Sequence, residues 1–492
     1  MLDRLFSPRS IAVIGASKTV GKVGYLTLSN LVQSGFQGPI VPINSAGGEL
    51  FGLPVYKQLA DYPEVIDLVV IAVPAEMVPA AARDAVAKKA GAVVVVASGF
   101  KEAGPEGRAL EDELIAICRR GGVRLLGPNC LGVINTAIRM NASFSRRIPQ
   151  AGSMAIFSQS GALCTAMMDI ADERELGVSK AISIGNKADI TEVDVLEALA
   201  EDEDTRVIVG YLEDISDGDR FVKAAEAASN RKPVVILKAG TTTAGSRAAA
   251  NHTGVLVGKD TAYGAAFKRA GICRADTFDA LFDSATALAL QPTPKGDRVL
   301  IITNSGGSGT ISADAVEKAG LNVATLGEEL ARQLRRALPA AAFIDNPIDI
   351  SAAAEPRHYA AALDIVAAEG SFDAVLIVLA PQYMTEPAAT VRAIVAHLDE
   401  NMPVLAAFLG GGDIMPSRQE LAAAGLPFYD SPERAVTALK AMYEYGVWQR
   451  RPARQVVRFP VNRRRVERII YRRQRTDRLR LGEVKSKDIL KA

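Results

Sequence analysis

His252 stands in a segment of small residues, and its imidazole is the side chain best suited to accept and return a chemical group near neutral pH. It is one of three histidines in the chain, and it follows an aliphatic run at 234–237 and a stretch rich in Gly, Thr, Ser and Ala. Small residues let a backbone approach a ligand closely, so the pattern predicts a reactive loop. A capping or core histidine in a structural connection is the alternative interpretation.

Glu213 is the second candidate for chemistry, because it follows an aliphatic run at 207–212 in the same region of the chain. Its carboxylate could accept a hydrogen bond from one ring nitrogen of His252. That contact would fix the tautomer and make the other ring nitrogen more nucleophilic. The sequence therefore predicts a pair formed by these two residues.

Two further aliphatic runs end in loops of small and polar residues that open helices, and both loops predict anion sites. The first N–H groups of a helix lack intrahelical acceptors, and together with the helix dipole they attract phosphate. A phosphorylated imidazole between two such helices would be stabilised from both sides. A Ser-His-Asp hydrolase is an alternative, although residues 157–161 lack the Gly-x-Ser-x-Gly order of a nucleophile elbow. The predicted phosphate-binding residues are Ser158, Gln159, Ser160 and Gly161 in the first loop and Ser305, Gly306 and Gly307 in the second.

The first 141 residues alternate strands and helices, which predicts a doubly wound sheet with its ligand at the carboxyl ends of the strands. The loop after the first strand, which begins at Gly15, lacks Gly-x-Gly-x-x-Gly spacing. Asn44 stands where a NAD site usually offers an acidic residue to the ribose. Both features argue against a dehydrogenase. A ligand whose pyrophosphate binds at the N-terminus of the helix after this loop agrees better with the residues. The alternative is that the glycines only form a structural turn between strand and helix. The candidate ligand contacts are Gly15, Ala16, Ser17, Lys22, Gly24, Asn44, Val73, Pro74, Ser98, Gly99 and Asn129.

Length and composition predict an α/β protein, because 492 residues exceed one core and aromatic residues make up only 5% of the chain. Each of the two glycine loops is followed along the chain by a similar segment. The first is followed by Asn186-Lys-Ala-Asp-Ile and the second by Asn346-Pro-Ile-Asp-Ile, which indicates an internal duplication. We expect a Rossmann-like domain at 1–141, flavodoxin-like parallel-sheet domains at 142–292 and 293–446, and a basic, helical tail at 447–492.

The net charge of +1 hides a basic C-terminal segment: residues 449–492 carry 16 Lys and Arg against 4 Asp and Glu, and the remainder 41 against 52. Nucleic acid is one possible partner, but no nucleic-acid motif accompanies the charge, so we expect a docking helix for an acidic protein. No apolar run has membrane-spanning length, no signal-peptide pattern is present, and four scattered cysteines indicate neither disulfides nor zinc. We expect a cytoplasmic protein with no membrane or nucleic-acid partner and no metal of its own.

Many segments, in order and over nearly residues 1–450, resemble the α subunit of nucleoside-diphosphate-forming acyl-CoA synthetases, the acetate–CoA ligase (ADP-forming) family related to succinyl-CoA synthetase. Two positions depart from the family pattern: Asn251 stands where Ser is more frequent, and Ser45 where Pro is common. The matching segments are Ile11-Ala-Val-Ile-Gly-Ala-Ser17, Ile71-Ala-Val-Pro74, Ser98-Gly-Phe-Lys-Glu102, Leu126-Gly-Pro-Asn-Cys130, Phe157-Ser-Gln-Ser-Gly-Ala-Leu163, Ser183-Ile-Gly-Asn-Lys-Ala-Asp189, Tyr211-Leu-Glu213 and Ser246-Arg-Ala-Ala-Ala-Asn-His-Thr-Gly254.

The resemblance implies that the first domain binds coenzyme A (CoA), that His252 is transiently phosphorylated and steadied by Glu213, and that the two glycine loops cradle phosphate. The implied reaction is acyl-CoA + phosphate + ADP ⇌ carboxylate + CoA + ATP, for a small carboxylic acid. Because residues 481–492 resemble only the opening helix of an ATP-grasp domain, we expect a separate ATP-grasp β subunit that holds Mg²⁺ with ADP or ATP, in an α2β2 assembly. A truncated fusion would have almost the same sequence. A CoA-binding regulatory protein without catalysis is the alternative, but both phosphate loops are intact.

Overall fold

The computed structural model describes residues 2–253, 259–410, 412, 415–452, 462–475 and 482–490. Side chains are not described at 250–253, 415 and 418, or at the tail positions 463, 474, 483 and 490. Residues 1–449 form one compact unit, and residues 450–492 form a second.

The N-terminal domain is a parallel sheet in the order β2-β1-β5-β6-β7, with helices on both faces. Gly15, at the end of β1, has φ +90°, and a Cβ there would lie 2.4 Å from the carbonyl oxygen of Ala72. Gly24 likewise brings α2 close to the first loop, since its Cβ would lie 2.0 Å from the Gly15 carbonyl oxygen. The elements are α1 (Asp3–Phe6), β1 (Ile11–Ile14), α2 (Val23–Ser34), β2 (Ile40–Ile43), β3 (Gly48–Leu50), β4 (Leu53–Val55), β5 (Leu68–Ile71), α3 (Val78–Ala87), β6 (Ala92–Val95), α4 (Pro105–Gly121) and β7 (Arg124–Leu126).

The middle domain has a seven-stranded sheet in the order β14-β13-β12-β10-β11-β8-β9. Its five parallel strands follow the flavodoxin order, and the β8–β9 hairpin adds antiparallel to β11. The boundary expected at residue 141 falls inside β9. The elements are β8 (Gly132–Asn135), β9 (Met140–Ser143), β10 (Ala151–Ser158), α5 (Gly161–Glu173), β11 (Val178–Ser183), α6 (Glu192–Glu201), β12 (Val207–Leu212), α7 (Gly218–Ser229), β13 (Val234–Lys238), α8 (Thr243–Thr253), α9 (Asp260–Ala270), β14 (Cys273–Ala275) and α10 (Phe278–Leu290).

The segment before His252 differs from the sequence-based expectation, because it is helical rather than a loop. Helix α8 covers Thr243–Thr253, and the Thr242 hydroxyl oxygen accepts the N–H of Gly245 at 3.0 Å in the first turn. Alanine has the highest helix propensity, and the run at 248–250 outweighs the small polar residues around it. His252 therefore lies in helix α8.

The third domain repeats the flavodoxin order, with its strands arranged β16-β15-β18-β19-β20 and β17 also paired with β15. The equivalent order in two consecutive domains agrees with the duplication read from the sequence. The elements are β15 (Arg298–Thr303), α11 (Gly306–Lys318), β16 (Asn322–Val323), α12 (Glu328–Ala337), β17 (Ile348–Asp349), α13 (Pro356–Glu369), β18 (Ala374–Leu379), α14 (Pro387–Ala396), β19 (Val404–Phe408), α15 (Arg418–Ala423), β20 (Phe428–Tyr429) and α16 (Pro432–Gln449).

The hydrophobic cores cross the domain borders. One cluster continues from Leu28 and Leu31 of α2 through Met140 of the hairpin into Phe157 of the middle sheet. The same hairpin is fastened to α2 by the Asn30 side-chain amide, which donates to the backbone carbonyls of Ser143 and Ser145 at 2.8 Å each. A second cluster joins the middle and third domains. These shared cores hold the three sheets in one unit.

The tail contains two further helices, α17 (Arg463–Gln474) and α18 (Glu483–Leu490). The predicted fold class is confirmed: a Rossmann-like domain precedes two flavodoxin-like domains and a basic tail with helices. None of the helices in the described part of the chain is both long and apolar enough to cross a bilayer.

Candidate active site

Three neighbouring parallel strands of the middle sheet carry the predicted catalytic elements at their carboxyl ends. Strand β12 pairs with β10 on one side and with β13 on the other. The predicted phosphate loop follows β10, Glu213 follows β12, and the chain leading to α8 follows β13. Carboxyl ends of parallel strands meet at one sheet edge, so the fold brings these three segments to a common place.

The predicted phosphate loop at 158–161 is shaped by its two serines. The Ser158 hydroxyl is buried; it donates to the Ser160 carbonyl at 2.7 Å and accepts the Ser160 N–H at 3.1 Å. Ser160 is the N-cap of α5, and its hydroxyl oxygen accepts the N–H of Leu163 at 3.3 Å. The helix then starts at Gly161, where the N–H groups of its first turn have no intrahelical acceptor. The loop therefore presents the N-terminus of a 13-residue helix at the sheet edge.

Gln159 joins this loop to the Glu213 strand end. Its side-chain oxygen accepts the backbone N–H groups of Glu213 at 2.9 Å and Asp214 at 3.3 Å, and its side-chain nitrogen donates to the Asp214 carboxylate. Its backbone N–H donates to the carbonyl of Tyr211 at 3.1 Å. Gln159 thus braces two strand ends, in addition to its predicted place beside phosphate.

Glu213 is buried, and its backbone accepts a hydrogen bond from Lys238. Tyr211 donates its phenolic hydroxyl to Glu213 Oε1 at 3.4 Å, and Lys238 Nζ donates to the Glu213 backbone carbonyl at 2.7 Å. Lys238 is 3% exposed and its ammonium lies 4.2 Å from the ring centroid of Tyr263. Burial lowers the pKa of Lys238 from 10.5 to about 8. A buried lysine with a lowered pKa therefore supports the backbone of Glu213, the predicted partner of His252.

The His252 side chain lies outside the described residues, so its predicted contact with Glu213 remains a prediction. The backbone of α8, which carries His252, lies against the turn Lys101–Ala103 of the N-terminal domain. That turn begins two residues after Gly99, with Phe100 between them. The helix of the predicted phosphohistidine and the predicted CoA loop are therefore neighbours across the domain border.

The second glycine loop, at 304–307, is tied to its own sheet in the same manner as the first. The Asn304 side chain donates to the Ala380 carbonyl and accepts the Ala380 N–H, both at 2.9 Å. Ser305 is the N-cap of α11 but its hydroxyl makes no capping bond. The Asp349 carboxylate lies beside the helix start, since a Cβ at Gly306 would be 3.2 Å from Asp349 Oδ2. Among the described residues, no hydrogen bond joins this loop to the loop at 158–161.

The predicted CoA-contact residues line the carboxyl edge of the N-terminal sheet, where β1, β2, β5, β6 and β7 end. Asn44 bridges two of these ends, because its side-chain nitrogen donates to the Ala16 carbonyl at 2.6 Å and its oxygen accepts the Ala46 N–H at 2.9 Å. Asn129 has φ +56° and donates its backbone N–H to the carbonyl of Ala97 at 2.9 Å. The other candidates at this edge are Ser17, Lys22, Val73, Pro74, Ser98 and Gly99, of which Lys22 is the exposed N-cap of α2.

Four polar residues near these loops were not among the predicted site residues: Glu102, Asn186, Lys187 and Asp214. Three of them lie in motifs that carried the family resemblance, but only long-range packing shows that they touch one another. Within the described residues, no three His, Cys, Asp or Glu side chains come together as a metal site requires. All four cysteines are free thiols.

Comparison with known proteins assigns each domain. Residues 9–136 match the CoA binding domain family, residues 151–288 the succinyl-CoA ligase-like flavodoxin domain, and residues 299–454 the ligase-CoA domain. The α subunit of ADP-forming acetate–CoA ligase I from Pyrococcus furiosus is 38% identical over 455 residues, which cover 91% of this chain and 98% of that subunit. The chain belongs to the ADP-forming acyl-CoA synthetase family. The resemblance read from the sequence is confirmed.

Other members of this acyl-CoA synthetase family are longer than the chain. ADP-forming acetate–CoA ligase I from Archaeoglobus fulgidus is 40% identical over 445 residues, which cover 90% of this chain but 64% of that protein. The 4-hydroxybutyrate–CoA ligase of Nitrosopumilus maritimus is 34% identical over 493 residues, which cover 99% of this chain and 70% of that enzyme. The chain thus spans nearly all of a separate α subunit and less than two thirds of some single-chain relatives.

A solved acyl-CoA synthetase has the same fold. Acetyl-coenzyme A synthetase 1 of Candidatus Korarchaeum cryptofilum, described as a complex with phosphate and ADP, superimposes with a TM-score of 0.88 at 36% identity. The match covers 92% of this chain and 100% of that chain. The family, the enzyme class and the CoA-binding domain are therefore supported by both sequence and structure.

Proposed function

We propose that the chain is the acyl-transfer α subunit of an ADP-forming acyl-CoA synthetase. The observation that carries the proposal is the adjacency of β10, β12 and β13, whose ends supply the phosphate loop, Glu213 and the helix of His252. An anion site, an acid and a nucleophilic imidazole at one sheet edge are the groups that phosphoryl transfer through histidine needs. CoA would bind at the carboxyl edge of the neighbouring N-terminal sheet.

The proposed reaction has three steps. Phosphate attacks the thioester carbonyl carbon of acyl-CoA, which breaks the C–S bond and yields an acyl phosphate and CoA. A ring nitrogen of His252 then attacks the phosphorus, so that the carboxylate leaves and phospho-His252 forms. ADP finally takes the phosphoryl group from His252 and becomes ATP. Glu213 would accept the N–H of the other ring nitrogen and so orient the imidazole.

The helix N-termini at Gly161 and Gly306 would hold the phosphoryl group through backbone N–H donors. The proposal is supported by the serine hydroxyls, which bond within the loop and to the N–H of Leu163 and so fix the backbone that leads into the helix. Residues Ser158, Gln159, Ser160, Ser305 and Gly307 would shape the two anion sites around these N–H groups.

Nucleotide binding would belong to a partner. Relatives named as α subunits imply a second subunit, and we propose that an ATP-grasp β subunit holds Mg²⁺ with ADP or ATP in an α2β2 assembly. The basic tail with α17 would dock on that subunit. The substrates would be a small carboxylic acid, CoA and phosphate, and the reaction would take place in the cytoplasm.

The first test is phosphorylation of the purified chain by acetyl phosphate and other acyl phosphates in the presence of Mg²⁺, followed by intact mass measurement. We expect one acid-labile phosphate on the parent chain and none on His252→Ala. His397→Ala is the matched control: its ring nitrogen lies 2.7 Å from Asp364 on the surface of the third domain, and its loss should leave the label intact. No phosphate with any donor, even after addition of an ATP-grasp partner, would contradict the assignment and favour a CoA-binding regulator.

A further inference from the structure

A chain of polar contacts connects the predicted CoA loop to the phosphate loop, and it begins at Glu102. One carboxylate oxygen, Oε1, accepts the N–H groups of Gly99 at 2.7 Å and Phe100 at 3.1 Å. Burial opposes the charge of Glu102, but the hydrogen bonds from the Asn186 side chain and the Gly99 backbone outweigh it and hold the pKa of Glu102 below its ordinary value. The Glu102 carboxylate is thus ionised and holds the backbone of the predicted CoA loop through these two hydrogen bonds.

The chain crosses the domain border at Asn186, which is 8% exposed. Its side-chain nitrogen donates to Glu102 Oε2 at 2.5 Å and to Glu111 Oε2 at 2.8 Å. Lys101 donates to the Asn186 backbone carbonyl and pairs with Glu111 at 3.5 Å. Asn129 also donates its side-chain nitrogen to Asn186 Oδ1 at 3.3 Å, and the Pro128 carbonyl accepts the Asn186 N–H at 2.9 Å. Asn186 is therefore held by several groups of the N-terminal domain, although it belongs to the middle domain.

Lys187, the next residue in the chain, connects Asn186 to Asp214 through its buried ammonium. Its ammonium, in a side chain only 4% exposed, lies 3.1 Å from Glu192 Oε2 and 3.2 Å from Asp214 Oδ2, and it donates to the Asp214 carbonyl at 2.9 Å. Its φ of +57° lies in the left-handed region that a lysine seldom adopts, so the surrounding contacts hold a strained backbone. The two carboxylates and the ammonium fix the chain just after Asn186.

Asp214 and Gln159 complete the path. Asp214 is 4% exposed; burial opposes its charge, but Lys187 and the Gln159 side chain hold its pKa below the ordinary value. Gln159 donates to this carboxylate and accepts the N–H of Glu213 at 2.9 Å. The path from Gly99 to Glu213 therefore runs through named contacts without a gap.

We propose that Asn186 and Lys187 are positioning residues that couple CoA binding at the loop 98–100 to phosphate binding at the loop 158–161, so that each ligand tightens the binding of the other. The inference rests on the proposed function of these two loops. A ligand that orders one end of a continuous network leaves less conformational entropy for the second ligand to remove. Such coupling is reciprocal, because it is a difference in binding free energy.

Calorimetric titration of the full chain with CoA, in the absence and in the presence of saturating inorganic phosphate, tests the coupling. For the parent chain we expect the CoA dissociation constant to fall at least about fivefold when phosphate is present, the lower end of typical coupling. For Asn186→Ala we expect the fall to shrink to less than about twofold, because the hydrogen bonds from the Asn186 side chain to Glu102 and Glu111 are lost. Glu102→Gln, which alters the same contact from the other domain, provides the second variant if Asn186→Ala does not fold.

Lys180→Met is the matched control, since Lys180 is another buried lysine of the same sheet, paired with Asp202 at 2.6 Å and outside the path. It should keep the parent's full change in CoA affinity. A change retained in Asn186→Ala or in Glu102→Gln, or no change in the parent chain, would overturn the coupling while leaving a CoA site in place. No binding of CoA to the parent chain would instead overturn the proposed function itself.

Discussion

Arg434 of α16 grips the carboxylate of Asp283 of α10 with two nitrogens: Nε lies 2.8 Å from Oδ2, and Nη2 lies 2.8 Å from Oδ1. Asp283 has a side chain only 2% exposed, and it also pairs with Arg174 at 2.7 Å. Arg174 follows the last residue of α5, the helix that starts at the predicted phosphate loop. One buried carboxylate thus joins the C-terminal end of α5 in the middle domain to α16 of the third domain.

Loss of this carboxylate should destabilise the whole three-domain unit. Removal of one partner of a buried ion pair costs about 3–5 kcal/mol, and Asp283→Asn should fall near 3 kcal/mol because both arginines keep Asp279 and are partly exposed. Chemical denaturation measures the free energy of unfolding. Asp430→Asn removes a 76% exposed partner of the same Arg434 and should cost less than about 1 kcal/mol. Equal losses in the two variants would show that burial of Asp283 does not matter.

Lys238 should make stability depend on pH in the alkaline range. Burial lowers its pKa from 10.5 to about 8 in the folded chain, so between these values the unfolded chain holds the proton that the folded chain has lost. The free energy of unfolding should therefore rise from pH 8 towards pH 10.5, by at most about 1.4 kcal/mol per pH unit.

In Lys238→Met the rise in unfolding free energy between pH 8 and pH 10.5 should be smaller than in the parent chain, by up to about 1.4 kcal/mol per pH unit, when denaturation is measured at several pH values. Activity should respond in the opposite direction. The Lys238 ammonium donates a charge-assisted hydrogen bond to the Glu213 carbonyl, and the neutral amine would donate a weaker one, so deprotonation should lower the acyl-transfer rate above pH 8. Parallel pH profiles of parent and Lys238→Met would argue against this role.

The negative charge of Asp349 in the parent chain should weaken phosphate binding at the start of α11. Its carboxylate lies next to Gly306, where phosphate is proposed to meet the helix N-terminus. In Asp349→Asn the half-saturating phosphate concentration should fall about two- to fivefold, which corresponds to the usual size of a charge effect at a helix end. Asp314→Asn removes the same charge from the surface of the same helix, where it pairs with Lys318, and should have no effect. If the two variants behave alike, phosphate does not bind at α11.

The α8 segment shows where local sequence can mislead. Glycine, threonine and serine before His252 favoured a loop, yet the alanines made the segment helical. By contrast, aliphatic runs followed by small polar residues correctly marked the ends of β10, β12 and β15, since buried parallel strands need such runs whatever surrounds them.

Gln159 illustrates a different limit of sequence reading. Its position in the loop suggested contact with phosphate, but its amide also braces Glu213 and Asp214, 54 and 55 residues away. That second role exists only because β10 and β12 are neighbours in the sheet while β11 lies on the other side. Strand order depends on how helices and hairpins pack, and no short spacing in the chain records it.

Patterns along the chain were sufficient to identify the α/β class, the duplicated flavodoxin-like plan, the family and the candidate residues His252 and Glu213, because strand periodicity, helix starts and motif order can be read residue by residue. Three-dimensional packing, in contrast, places the β8–β9 hairpin in the middle sheet and makes Asn186 a bridge between two domains. It also decided that Lys187 is neutralised by Glu192 and Asp214. These relationships join residues far apart in the chain, and the physical reason is burial: a charge without water must find its partner wherever the fold places it.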